Sequence, residues 1–264
     1  MTLQDWQRVR LETVHQGRTD YGRGPSDLTV LTYYWGADVS LPDTQFYRIE
    51  SALRETWLQC GMMKSVIVTD RKTDELRAFS AQFPTVEIQV EPSLVAGNLY
   101  TMSADCDGRL AERFSTPYLM IVQDDGFPLR AGVDAFLGKW DYIGAPYVRD
   151  RFFSRFAARA MNLWTMNGGF SIRSHRICEQ AARYWRETYH KFGDCHSVGE
   201  DAYYTETLVL HRRDYRRQMR LADNRSAIRF AWDCLVPFDV QALPFGFHRA
   251  STFECLYACG LIRE

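Results

Sequence analysis

Four short strand-like runs, Leu28 to Tyr34, Ser65 to Thr69, Val86 to Val90 and Tyr118 to Val122, punctuate the first half of the chain and constrain its fold more than any other feature. The last is continuous in apolar character, as a strand buried on both faces of a parallel sheet must be. Between the runs lie segments of helical spacing. Thr44 to Cys60 puts Phe46, Ile49, Leu53 and Trp57 on one face and ends at Gly61; Thr73 to Phe83 and Asn98 to Phe114 follow. Such alternation predicts an α/β fold: a Rossmann-type, mostly parallel sheet with helices on both faces. At 264 residues the chain can bury roughly three quarters of its unfolded surface, enough for one such domain.

The Tyr118 strand empties into Gln123, Asp124, Asp125 and Gly126. Open α/β sheets bind ligands at the carboxyl ends of their strands, and paired carboxylates there offer hard oxygen ligands to Mg²⁺ or Mn²⁺. A cation held so commonly takes further oxygens from a substrate diphosphate. The competing reading is a plain turn, for which Asp-Asp-Gly is equally suited.

After Gly126 the pattern changes. Val133 to Trp140 reads as a short helix, Asp141 to Tyr147 as a strand, and Phe170 to Arg173 as another, entered through Asn167-Gly168-Gly169. Arg176 to His190 and Asp201 to Leu210 have helical spacing, and Val236 to His248 reads as extended. No repeat and no Gly/Ser/Pro-rich linker marks a boundary. Residues 1–27 form a polar N-terminal segment, and 28–264 a single domain with halves 28–126 and 127–264.

The formal charge of -1 gives no global case for nucleic acid or membrane binding. Met1 to Arg23 lacks the apolar core of a signal peptide, and no run matches the length of a membrane span. Seven scattered cysteines without a Cys-x-x-Cys pair read as reduced thiols of a cytoplasmic protein. Cys195 and His196 lack partners at metal-ligand spacing.

Five motifs in order carry a family pattern: the strand ending in Gln123-Asp124-Asp125, then DYIGAPY, NGGFSIRS, Glu200-Asp201, and PFGFH closing at His248. From Leu28 to Arg249 the chain resembles the DUF5672 family of glycosyltransferase-like proteins and, more broadly, the GT-A class of nucleotide-sugar glycosyltransferases. The resemblance implies a nucleotide-binding half and an acceptor-binding half within one fold. It matches Asp125 to the metal-binding acid, leaves Asp124 at a variable position, and makes His248 a further metal or diphosphate ligand. The implied activity is metal-dependent transfer of a sugar from a nucleoside-diphosphate sugar, UDP by class habit, to a hydroxyl acceptor.

Such a transfer needs a base for the acceptor hydroxyl. The resemblance points to Asp201, with Glu200, as in inverting members of the class. Adjacent carboxylates repel, which raises one pKa, while a helix N-terminus favours ionisation of the other. The pair is equally suited to capping the helix that follows. Thr32, Tyr33 and Asp70, at strand ends, are candidates for the nucleoside together with Gln123 and Asp124. Asn167, Gly168 and Gly169 would let backbone approach the transferred sugar.

Two arginine clusters remain, Arg151/Arg155/Arg159 and Arg212/Arg213/Arg216/Arg217/Arg220. Either is a solvated helix face or a docking surface for an anionic membrane or lipid-linked acceptor, which would place the protein peripherally at the inner face of the membrane. Nucleic acid is the less favoured partner. A glycan is the other acceptor class. A phosphatase of the haloacid dehalogenase type would need an aspartate where Gln123 stands, and a sugar nucleotidylyltransferase a Gly-rich, Arg-bearing loop where Trp35 to Ser40 stands. A non-catalytic protein that binds nucleotide sugars in the same fold is the rival from another class.

Overall fold

Strands β1 (Leu28–Tyr34) and β2 (Ser65–Thr69) are buried along their whole length, which is why their sequences show no polar alternation. β3 (Val86–Val90) lies at the sheet edge and alternates, with Glu87 exposed. The structure, a computed structural model, describes residues 1–35, 45–94, 99–147, 165–192, 199–233 and 243–262. With β4 (Tyr118–Val122), β5 (Tyr142–Tyr147) and β6 (Thr165–Ser174) these strands form a six-stranded sheet of order β3-β2-β1-β4-β6-β5. The first four are mutually parallel; β6 runs antiparallel to β4, and β5 to β6.

Helix α1 (Leu3–Thr13) precedes the sheet, and α2 (Gln45–Cys60), α3 (Asp74–Gln82) and α4 (Leu99–Gly108) join the parallel strands. Right-handed crossovers put α2 and α3 on one face and α4 on the other, because the chain steps outward to β3 and then returns across β1 to β4. The α/β expectation holds in this mixed sheet. Helix α5 (His175–Phe192) packs against α4. Next comes α6 (residues 200–211), whose middle stretch, Tyr203–Thr207, is π-helical. Helices α7 (Arg213–Gln218), α8 (Asn224–Phe230) and α9 (Ala250–Ala258) complete the set, with a two-stranded pair β7 (Ala231–Trp232) and β8 (Gly246–Phe247) before α9.

Three differences from the sequence reading have physical causes. The stretch from Val133 is a 3₁₀ turn, Val133–Ala135, in place of a helix, entered from Gly132 at φ 117. Strand β6 begins before the glycine pair, and its pairing with β5 slips between Gly144 and Pro146, so Asn167-Gly168-Gly169 is a bulge inside a strand. The N-terminal segment is mostly polar, yet α1 buries Leu3, Trp6 and Gln7. Trp6 stacks on Phe127 at 5.4 Å and meets Phe253 of α9 at 5.2 Å. Thr2 caps the helix, accepting from Asp5 N at 3.2 Å. No helix among the described residues is long and apolar enough to cross a membrane.

Candidate functional site

The strand order reverses between β1 and β4, since β2 and β3 lie on one side of β1 and β4 on the other. Crevices of open sheets form at such points, outside the carboxyl ends. A cleft of about 140 Å³ opens there, walled by Tyr33, Tyr34 and Trp35 from the end of β1, Met102 of α4, and Gln123 to Asp125 after β4. Tyr33 is braced from below: its hydroxyl donates to Asp105 at 2.9 Å.

Asp125 meets His248 at the cleft. The imidazole Nε2 lies 3.3 Å from Asp125 Oδ1 and 3.1 Å from Gln123 Oε1, and Nδ1 lies 3.5 Å from Asp233 Oδ2. Two glycines make room for the ring. A Cβ on Gly169 would sit 2.3 Å from both His248 Nε2 and Gln123 Oε1, and one on Gly126 3.1 Å from His248 Cδ2. Beyond His248 the backbone is strained: Arg249 has φ 78, the only non-glycine positive φ among the described residues. Its guanidinium binds the far side of Asp233 at 2.9 Å.

Burial works against the charge on His248, but its hydrogen bonds to Asp125 and Asp233 and their negative charge outweigh burial and hold its pKa up at about 9. Asp125 moves the other way: burial would raise its pKa, and the bond from His248 lowers it below the usual carboxylate value. His248 is thus a cation clasped between two acids. With an unfolded pKa of about 6.5, its stabilisation is complete below that pH and is lost as pH rises through the folded value. The difference, about 2.5 units, is worth about 3 kcal/mol. In metal-free buffer, urea unfolding should therefore show stability falling between pH 6.5 and 9 in the native protein but not in His248→Gln. A flat native profile contradicts the assignment.

Gly169→Ala tests the same packing. Neither neighbour of the new Cβ is far from fixed backbone, so the ring must leave, at a cost of about 1–3 kcal/mol in urea unfolding. The pH dependence of stability should go with it; full stability in the variant would refute the packing argument.

Asp124 faces elsewhere. It pairs with Arg48 of α2 at 2.7 Å, and its backbone carbonyl accepts from Gln7 Nε2 of α1 at 2.8 Å. Burial raises its pKa, Arg48 opposes this and Asp125 adds to it.

Glu200 and Asp201 open α6 in different settings. Glu200 is buried, with Oε1 3.7 Å from Arg173 Nη2. Burial, then the charge of Asp201, raises its pKa. Asp201 is half-buried, and its Oδ1 accepts from Ala202 N at 2.6 Å, as a helix-start residue does. Sequence reasoning gives the glycine pair to a sugar approaching the backbone, whereas protein side chains fill the space. A Cβ on Gly168 would lie 2.1 Å from Glu200 Oε1. The acid pair and the His248 cluster therefore meet β6 at successive residues. Asn167 stays in the bulge, its Oδ1 accepting from Gly169 N at 2.7 Å.

The remaining candidates scatter. Thr32 is buried in β1 and Asp70 pairs with Arg71 at 2.9 Å; neither lines the cleft. In the second arginine cluster, Arg212 and Arg220 turn inward to Glu187 and Asp141. Arg213, Arg216 and Arg217 are exposed beside Leu210, itself 51% exposed. The Arg151 cluster, Cys195, His196 and Cys234 lie outside the described residues. The other five cysteines form no disulfide.

Sequence reasoning misses Gln7, Arg48, Asp233, Arg173 and the aromatic wall of Tyr34 and Trp35. Only the wall left a signal, as the aromatic end of the first strand. Asp233 touches His248 across 15 positions and Gln7 reaches Asp124 across 117, with no spacing rule to expose either.

Three likenesses to known proteins accompany this geometry. Mouse xyloside xylosyltransferase 1 superposes with a TM-score of 0.53 at 10% identity, over 85% of this chain and 98% of that one. The galactosyltransferase LgtC, in complex with donor and acceptor sugar analogs, gives 0.50 at 11% over 84% and 86%. An active-site mutant of LgtC gives 0.52 at 11% over 88% and 95%. These likenesses show a shared fold, the GT-A glycosyltransferase fold. A search of curated proteins by sequence found no match. The model of the family described as "Protein of unknown function (DUF5672)" matches residues 105–248, from α4 through β4 and the glycine bulge to His248, just over half of the chain. The chain therefore belongs to the DUF5672 family and carries it on a GT-A fold.

Proposed function

We propose that this protein is a glycosyltransferase that moves a sugar from a nucleoside diphosphate, UDP in the first instance, to a hydroxyl acceptor with inversion, using Mn²⁺ or Mg²⁺. The observation that carries the reading is the meeting of Asp125, Gln123 and His248 beside a cleft at the point where the sheet reverses order. Donors about 3 Å apart are spaced as neighbouring ligands of an octahedral cation with bonds of about 2.1 Å. Asp233 behind His248 supports the fit, since a ligating imidazole usually has its second nitrogen held by a carboxylate. Among the described residues no third His, Cys, Asp or Glu joins them, so the amide of Gln123 and the substrate's own oxygens would complete the set.

When bound, the cation would neutralise charge gathering on the departing diphosphate. The chain supplies the rest. Asp125, Gln123 and His248 hold the ligand positions. Tyr33, Tyr34 and Trp35 offer ring faces and edges to the nucleoside. Asp201, the more exposed member of its pair, takes the proton of the acceptor hydroxyl as that oxygen attacks C1 of the sugar. Arg213, Arg216 and Arg217 beside Leu210 support an acceptor that presents phosphate at a membrane surface.

Thermal unfolding with a panel of nucleoside diphosphates and their sugars, with and without Mn²⁺, tests this. A ligand at about 100 times its Kd should stabilise by about 2.7 kcal/mol, only when Mn²⁺ is present, and the stabilising sugar should be turned over. Metal-dependent binding with no hydrolysis or transfer would instead favour a non-catalytic nucleotide-sugar-binding protein.

A further inference from the structure

Arg173 has no surface at all: its side chain is 0% exposed within β6. The guanidinium is stacked between two rings, 4.5 Å from the centre of Tyr204 and 5.0 Å from that of Tyr142. Its Nε donates to Ser171 Oγ at 3.3 Å, while Nη1 and Nη2 make no hydrogen bond among the described residues. A buried guanidinium so poorly bonded is a burden on folding unless a partner needs it. One carboxylate lies within ion-pair distance, Glu200 at 3.7 Å.

The surroundings are built for that pair. Gly168 must lack a side chain, because a Cβ there would sit 2.1 Å from Glu200 Oε1 and 2.6 Å from Arg173 Nη2. The π-helical stretch of α6 brings Tyr204 over the guanidinium, and the Tyr204 hydroxyl is tied to the Cys106 carbonyl of α4 at 2.9 Å. Asp107 of α4 is buried too, with both carboxylate oxygens unbonded among the described residues. Burial, then the charge of Glu200, pushes its pKa well up, so it stays protonated. The groups facing Arg173 are thus Glu200 and Asp201 of α6, Asp107 and Cys106 of α4, and the two tyrosines. Among them Glu200 is the acid in ion-pair contact with the cation.

We infer that Arg173 is a positioning residue that acts through Glu200: from inside the sheet it anchors the first turn of α6 beneath the Gly168–Gly169 bulge and so fixes the backbone that presents Asp201. Its relevance to turnover rests on the function proposed above; the anchoring itself does not. Glu200 is then a tether, and the two neighbouring acids have separate tasks. Lysine cannot substitute, because a compact ammonium neither stacks between two rings nor offers a planar fork.

A double-mutant cycle of Arg173→Met and Glu200→Gln, read in two ways, tests this. In urea unfolding the two effects should be strongly non-additive, with Glu200→Gln recovering most of the midpoint lost in Arg173→Met. In turnover of UDP-glucose, UDP-galactose or UDP-N-acetylglucosamine with Mn²⁺, each single variant should lose kcat about 10- to 100-fold with KM for the donor within about twofold. Should Arg173→Met not fold, Arg173→Lys replaces it in both arms, with the same non-additivity expected. Additive unfolding effects overturn the inference whatever the activity, as does an unchanged kcat in an active enzyme. An inactive native protein with strong coupling in unfolding refutes the proposed function and leaves the anchor standing.

Discussion

Asp201→Asn should abolish turnover while leaving donor binding nearly intact: kcat lower by about 10²- to 10⁴-fold, the usual contribution of a general base, and donor Kd within about twofold. Asparagine has the shape of aspartate and retains an Oδ1 to accept from Ala202 N, so α6 keeps its start. Only the capacity to take a proton is removed. Calorimetric titration with a UDP-sugar and Mn²⁺, beside single-turnover kinetics, separates binding from chemistry. Retained turnover would move the base elsewhere and reduce Asp201 to a helix cap. A parallel loss of binding would mean that the substitution has disturbed the fold of the turn, which unfolding measurements would detect directly.

The second large effect is expected at Asp125. Asp125→Asn preserves the side-chain outline but removes the charge that a hard cation needs and that holds His248 protonated. Mn²⁺-dependent donor binding should weaken by about 100-fold or more, as loss of a direct ligand exceeds the 10–100-fold typical of an outer-shell partner. Asp124→Asn makes the comparison informative. Asp124 is engaged with Arg48 at 2.7 Å and turned from the imidazole, so its loss should change Mn²⁺ dependence little. Equal effects from the two substitutions would show that both acids ligate the cation. No effect from Asp125→Asn would remove the metal site as described.

The sheet was legible because burial on two faces writes itself into composition: LTVLTYY, SVIVT and YLMIV have few polar positions to confuse with a surface strand. The glycine pair was legible as important but not in kind. Sequence offers two reasons for a glycine, conformational freedom and lack of bulk. Neither Gly168 nor Gly169 has a positive φ, so the reason is bulk, and the obstructing groups are Glu200 and His248 from segments 32 and 79 positions further on. Likewise nothing near Arg173 in the sequence distinguishes it from a surface arginine. Its rings come from Tyr142 and Tyr204, on opposite sides of it in the chain. The order of motifs linked Asp125 to His248; the carboxylate behind the imidazole had no motif to announce it.

The π-helical stretch Tyr203–Thr207 makes α6 sensitive to deletion in a way an ordinary helix is not. Excising a single residue there would relax the wide turn to regular α geometry, and each residue of an α-helix subtends about 100°. The half that begins with Leu208, whose side chain is buried, would then be swung around the axis relative to Glu200 and Asp201. One of the two ends must surrender its seat, so the length of this segment sets where the acids aim.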